Sequence, residues 1–268
     1  MKYIDIEKVI SSKNPQLFKS LPRFLIRYLK KIIHQEDINA LLKESGHLTG
    51  LEFVKAVLSF MKIEYKVFGL ENIPKKGRFV FASNHPLGGL DGLVFITEVG
   101  KIFPDVRFPV NDLLLNISNL DNIFLPVNKH GGQNREAVRQ IEEAYASDAQ
   151  ILYFPAGLCS RKKRGIIKDL EWQKNFVAKS IKHERGIIPV HFSGKNSNFF
   201  YSLANLRVMV GIKSNFEMIY LPNEMFKQKG KPITMTYGQP ISFQNLVNSG
   251  LSPKEWAEKL REKVHQMA

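Results

Sequence analysis

The stretch Ser83-Asn84-His85-Pro86-Leu87-Gly88-Gly89-Leu90-Asp91-Gly92 holds a base and a carboxylate six positions apart. On a continuous helix, at ~100° per residue, the two would point ~240° away from each other and never meet. Pro86 and the Gly88-Gly89 pair let the chain turn instead. Folded back, Asp91 can accept a hydrogen bond from one imidazole nitrogen of His85 and leave the other free as a base. That is the base-plus-orienter half of a catalytic triad, with no serine or cysteine where the nucleophile would stand. A dyad suits direct transfer, in which the base takes the proton of an incoming hydroxyl as it attacks an activated acyl group. An arbitrary His and Asp at this spacing more often mark a strand-end histidine beside a helix cap. Here the preceding apolar run Phe79-Val80-Phe81-Ala82 favours the chemical reading, because open α/β sheets place ligands at the carboxyl ends of their strands.

The elements that must position this loop follow from periodicity. Short apolar runs at 63–68, 78–83, 106–110, 123–127, 151–154, 187–192 and 233–237 read as strands. Between them, 90–99, 133–147 and 169–183 have the length and composition of helices. Ser252-Pro253-Lys254-Glu255 is a capped helix start with Pro at the first helical position, opening a helix over 252–267. Strands alternating with helices predict an α/β fold with a largely parallel sheet flanked by helices. Residues 1–61 read as an N-terminal helical cap and 62–268 as the α/β domain. Within the cap, Phe18, Leu21, Phe24, Leu25, Tyr28, Leu29, Ile32 and Ile33 share one face of a helix predicted over 18–33, and Lys19, Arg23, Arg27, Lys30 and Lys31 flank it. Such a helix lies in a membrane interface or packs its stripe on the core. A second helical stretch covers 36–61.

Composition narrows the setting. Among 268 residues, 44% are hydrophobic, enough for a sizeable core, and 39 Lys and Arg against 25 Asp and Glu leave a net charge of +14. Nucleic acid, an anionic membrane surface or an acidic protein or ligand would each match that excess. The single Cys159 excludes an internal disulfide and fits a reducing interior. The start MKYIDIEKVI lacks the layout of a signal peptide, and no run of about 18 apolar residues occurs. A soluble or peripheral intracellular protein is expected. Cys159 beside the run Arg161-Lys162-Lys163-Arg164 could be an activated nucleophile, but a lone cysteine is more often a small buried hydrophobe. His130, before Gly131-Gly132, is read as a turn residue rather than a second base. No ligand-spaced His, Cys or carboxylate set occurs, so neither metal nor cofactor is expected. The nucleophile elbow, the phosphate loop and the dinucleotide fingerprint are also missing.

With its neighbours, the His85 loop resembles the first signature block of the lysophospholipid acyltransferases of the glycerolphosphate acyltransferase type, Asn-His-x4-Asp, with one extra residue in the loop. Phe124-Leu125-Pro126-Val127-Asn128-Lys129 resembles the second block, with Lys129 in the place of an Arg. Leu152-Tyr153-Phe154-Pro155-Ala156-Gly157 resembles the third, Phe-Pro-Glu-Gly-Thr-Arg-Ser, with Ala156, Leu158 and Cys159 replacing its Glu, Thr and Arg. Ile188-Pro189-Val190 and Tyr237-Gly238-Gln239-Pro240-Ile241 match the remaining two, so the resemblance spans roughly 65–245. The wording of the first block and the Leu21-Pro22-Arg23-Phe24 and Ile32-Ile33-His34-Gln35 stretches are most similar to a bacterial branch, once grouped under a hemolysin label. That branch acylates the 3-hydroxy group of N-(3-hydroxyacyl) ornithine or glycine lipids.

The resemblance implies an acyltransferase fold and roles for particular residues. His85 and Asp91 would be catalytic, and Asn84 would orient the loop or cap its turn. Lys129, Arg161 and Lys162 would meet an anionic headgroup or the donor's phosphopantetheine, and backbone N–H groups around Gly157 would face the oxyanion. Loss of the family's Arg and Glu at Lys129 and Ala156 weakens the case for a lysophosphatidic acid acceptor. The implied partners are an acyl carrier protein or coenzyme A thioester, a lysolipid and an anionic membrane surface, with no nucleic acid. The implied place is peripheral, on the cytoplasmic side of the inner membrane. Two readings stand beside this one: a 1-acyl-glycerol-3-phosphate acyltransferase, and a non-catalytic module that binds lipid or nucleic acid.

Overall fold

Residues 4–111, 114–127 and 135–268 are described by a computed structural model. The chain opens with five helices, α1 (Ile6–Lys13), α2 (Pro15–Ser20), α3 (Arg23–Ile33), α4 (Gln35–Ser45) and α5 (Gly50–Phe60). The single helix expected over 18–33 is therefore two. Pro22 is extended (φ −61°, ψ 143°), and a residue preceding proline is disfavoured in the α region, so the chain breaks at Leu21-Pro22. On α3 the buried residues are Ile26 and Ile32, while Phe24 and Tyr28 of the expected stripe face outward. The chain start is pinned by side chains of α4. Gln35 accepts from the Ile6 N–H at 2.9 Å, and Asn39 exchanges two 2.8 Å bonds with the backbone of Ile4.

The body is built on a sheet of seven strands in the order β1-β9-β8-β2-β5-β3-β4. These are β1 (Tyr65–Phe68), β2 (Phe79–Ser83), β3 (Val106–Val110), β4 (Phe124–Pro126), β5 (Gln150–Tyr153), β8 (Gly186–Phe192) and β9 (Ile233–Tyr237). They are the seven runs predicted as strands. The five from β8 to β4 run parallel, whereas β9 pairs antiparallel with β8 and parallel with β1. β2 is buried at every position, as expected for a parallel strand covered on both faces. Its side chains alternate between two cores. Phe79 and Phe81 join α5 and α6 (Gly89–Ile102) on one face. Val80 and Ala82 join α7 (Arg135–Ala146), α8 (Asn175–Lys182), α11 (Phe243–Asn248) and α12 (Pro253–Gln266) on the other. Phe53, Val54, Val57 and Leu58 of α5 belong to the same core as the sheet.

Three departures from the expected elements bear on the site. The basic run 161–164 is not a loop: β6 (Arg161–Lys163) and β7 (Ile166–Lys168) form an antiparallel hairpin outside the main sheet. The helix predicted over 169–183 starts only at Asn175, because the Asp169 side chain is committed elsewhere, as described below. Finally, 193–232 carries α9 (Asn198–Met209), a 3-10 turn at Phe216–Tyr220 and α10 (Leu221–Phe226), which the strand-and-helix pattern did not foretell.

Candidate active site

The loop after β2 turns as its glycines allow. Gly88 adopts φ +76°, and a Cβ there would lie 2.8 Å from a methyl carbon of Leu221 at the start of α10, so conformation and space both demand glycine. The turn brings Asp91, in the first turn of α6, beneath the ring of His85. His85 Nδ1 lies 3.0 Å from Asp91 Oδ1, close but not in line with a ring N–H. Asp91 is fully buried and accepts backbone N–H groups from Leu87 and Gly92, both at 2.9 Å. Its place at a helix N-terminus also favours a negative charge. The His85 side chain keeps 16% of its surface in the open, and Nε2 has no hydrogen-bond partner among the described residues. His85 and Asp91 are thus brought together with one imidazole nitrogen left over.

His85 is held from outside its own strand. Its N–H donates to Asp169 Oδ1 at 3.2 Å, and its carbonyl accepts from Ser160 N–H at 2.7 Å. Asp169 also accepts from Ser160 Oγ at 2.6 Å and Trp172 Nε1 at 2.9 Å, which makes this buried carboxylate the hub of the loop. The imidazole stacks on Phe154 at 3.9 Å between centroids. Phe154 in turn meets Phe95 and Phe108 at 5.7 and 5.3 Å, giving the dyad an aromatic, low-dielectric backing.

The other expected residues fall elsewhere. Asn84 is 3% exposed, and both ends of its amide are spent on β8: Nδ2 donates to Phe192 O at 2.8 Å and Oδ1 accepts from Phe192 N–H at 2.7 Å. It extends the β2–β8 pairing with a side chain, so its amide is engaged in holding the loop. Gly157 is exposed in a turn (φ +65°), where its N–H donates to Phe154 O at 3.0 Å and so does not face the dyad. Arg161 needs the clearest correction. Strand alternation sends it inward, where Nη2 meets the fully buried Glu217 at 2.9 Å and Nη1 donates to Cys159 O at 2.7 Å. Arg207 approaches the other oxygen of Glu217 at 2.8 Å, completing a buried Arg-Glu-Arg group. Lys162, one residue on, points out and reaches Asn198 at 2.9 Å. Lys129 and His130 lie outside the described residues. Burial pushes the Cys159 thiol up to about 11 despite Arg161 beside it, so the thiolate an acyl-enzyme needs is disfavoured.

Asp169, Ser160 and Phe154 are the members that sequence reasoning missed. Asp169 and Ser160 lie 84 and 75 positions from His85; Asp169 carries no motif, whereas Phe154 and Ser160 stand at the opening Phe and closing Ser of the third block, which marked them without showing that they touch His85. A cavity of about 720 Å³ opens behind the loop on the α12 side, lined by Asn84, Pro86, Ser160, Lys168, His191 and His265 among others. Among the described residues, no group of three or more His, Cys, Asp or Glu is gathered to hold a metal.

Comparison with known proteins adds four findings. Residues 8–268 match the model of a family described as Acyltransferase. A protein of Bacteroides thetaiotaomicron named lyso-glycine lipid O-acyltransferase is 44% identical over 265 residues, covering 98% of this chain and 97% of that protein. A protein of the same name from Phocaeicola vulgatus is also 44% identical, over 98% of this chain and 95% of its own. Among solved structures, the 1-acyl-sn-glycerophosphate acyltransferase of Thermotoga maritima aligns over 97% of this chain and 89% of its own, at 19% identity and a TM-score of 0.49.

Proposed function

The chain belongs to the acyltransferase family, and on that premise we propose that it moves a fatty acyl group from a thioester to the hydroxyl of a lyso-amino-acid lipid, an N-(3-hydroxyacyl) glycine in the first instance. The donor would be an acyl carrier protein or coenzyme A. The observation that carries the reading is the 3.0 Å approach of His85 Nδ1 to Asp91 with Nε2 unengaged. The named relatives supply the acceptor class. Nε2 takes the acceptor's hydroxyl proton as that oxygen bonds to the thioester carbonyl carbon. The carbon–sulfur bond then breaks, and the thiolate leaves with the proton returned by the imidazolium. Asp91 fixes the ring's tautomer and stabilises its transient positive charge. Phe154 keeps water from one face of the ring. A buried, high-pKa Cys159 favours direct transfer over an acyl-enzyme.

With Arg161 spent on Glu217, Lys129 and Lys162 remain the proposed contacts for the acceptor's carboxylate. The chain would work peripherally on the cytoplasmic face of the inner membrane, against anionic lipid. No helix among the described residues is long and apolar enough to cross a membrane.

An acceptor panel tests this, with N-(3-hydroxyacyl) glycine, ornithine and serine set beside lysophosphatidic acid, each offered with both thioesters. Thioester-dependent acylation of the glycine lipid is expected, falling ~10²–10⁴-fold in His85→Ala with the fold retained. Preference for lysophosphatidic acid would overturn the acceptor, and full activity in His85→Ala the mechanism. No thioester-dependent product with any acceptor would leave a binding module.

A further inference from the structure

The segment 206–219 holds seven apolar side chains in water: Leu206, Val208, Met209, Val210, Ile212, Phe216 and Ile219, from 40% to 77% exposed. Its Arg207 and Glu217 are withdrawn, and Lys213 alone of its charged residues stays exposed. Arg207 is 8% exposed, turned inward onto Glu217, and donates to Ile212 O at 2.9 Å, so the tip Val208-Met209-Val210-Gly211-Ile212 presents no charge. This ridge is joined to the N-terminal helices through Tyr220. Its ring meets Phe199 at 5.1 Å and Tyr28 at 6.4 Å, and its hydroxyl lies 3.0 Å from that of Tyr28. Phe24, 66% exposed one helical turn before Tyr28, continues the same surface, with Arg23 and Arg27 exposed beside it.

Within 193–232 the exposed charge has one sign. Both carboxylates in 193–232, Glu217 and Glu224, are fully buried and ion-paired, while Lys195, Lys213, Lys229 and Lys231 are exposed. A second copy docked here face to face would set these cations against their own images. An anionic bilayer complements both features, with the tip among acyl chains and the lysines at headgroup level. The surface also abuts the dyad loop, because Leu221, the residue after Tyr220, packs on Gly88.

We propose that the 206–219 ridge, together with Phe24 and Tyr28, inserts into anionic membranes, so that the acceptor reaches His85 directly from the leaflet. The proposal rests on the reading of the acceptor as a membrane lipid, and its test uses neither donor nor acceptor. Wild type and the triple variant Val208→Ser/Met209→Ser/Val210→Ser are sedimented with vesicles of equal parts phosphatidylglycerol and phosphatidylcholine, and with phosphatidylcholine alone. Wild type is expected on the mixed vesicles, less so at high salt, and the variant about tenfold or more weaker with an unchanged urea midpoint. Equal binding by variant and wild type would overturn the proposal. So would no wild-type binding, or a wild-type dimer that the variant turns into a monomer.

Discussion

His85 owes its position less to its strand than to two backbone bonds, one to Asp169 and one from Ser160. Asp169→Asn keeps the shape but puts an NH₂ group where three donors converge, which leaves at least one buried donor unpaired at ~1–3 kcal/mol. The expected result is a lower kcat with little change in KM and a lower thermal midpoint. A changed KM with kcat intact would place Asp169 at the acceptor instead. The neighbours Arg161 and Lys162 should separate equally well. Arg161→Ala removes one of the two cations on the buried Glu217, which Arg207 still holds, and should cost ~1–3 kcal/mol, whereas Lys162→Ala should shift the urea midpoint very little. Arg161 was not separable from Lys162 as a ligand contact because a run of four cations looks uniform in sequence, while a strand faces successive residues in opposite directions. His85 and Asp91 were legible because base, turn formers and carboxylate lie within one short block. Asp169 was not, since nothing local marks a carboxylate that acts on a loop so far along the chain.

At the scale of elements, the strands were legible because a sheet covered on both faces needs unbroken apolar runs, as in β2 and β8. The hairpin β6–β7 was not, because its three-residue strands are short and largely basic. The break at Pro22 could have been read from the proline alone. Helices α7 and α8 are joined by Glu142, whose carboxylate takes bonds from Lys179, from Lys182 at 2.7 Å and from His183 at 3.0 Å. Those bonds, led by Lys179, hold its pKa down to about 2, against an ordinary 4.5 in the unfolded chain. Its contribution is therefore complete above pH 4.5 and is lost as the pH falls toward 2. With the carboxylate 30% exposed, Glu142→Gln should cost about 1–2 kcal/mol at pH 7. In urea titrations its gap from wild type should narrow below pH 4.5, and a gap constant with pH would show that the ion pairs are not its source.

Across the whole molecule, the excess of +14 is distributed with purpose: carboxylates in 193–232 are drawn inside, and lysines stay out. Behind the loop, His191 and His265 line one cavity. Burial, then His265, pushes His191 down to about 4, and burial lowers His265 as well. Asp169 opposes both shifts, while Lys168 and Arg261 reinforce the second. Both rings are neutral in the fold and protonate more readily once it opens. Stability is thus full above pH 6.5 and declines toward pH 4, by about 1–3 kcal/mol for His191. Urea midpoints should fall between pH 7.5 and 5, and His191→Gln should flatten that slope; parallel profiles would exclude His191 as the cause. Finally, the left-handed step at Gly88 is walled in by Leu221, 133 positions later. With five residues between base and carboxylate, the two side chains still meet at 3.0 Å. A search that counts residues from histidine to aspartate would discard this chain, whereas one that measures the gap between ring nitrogen and carboxylate oxygen would keep it.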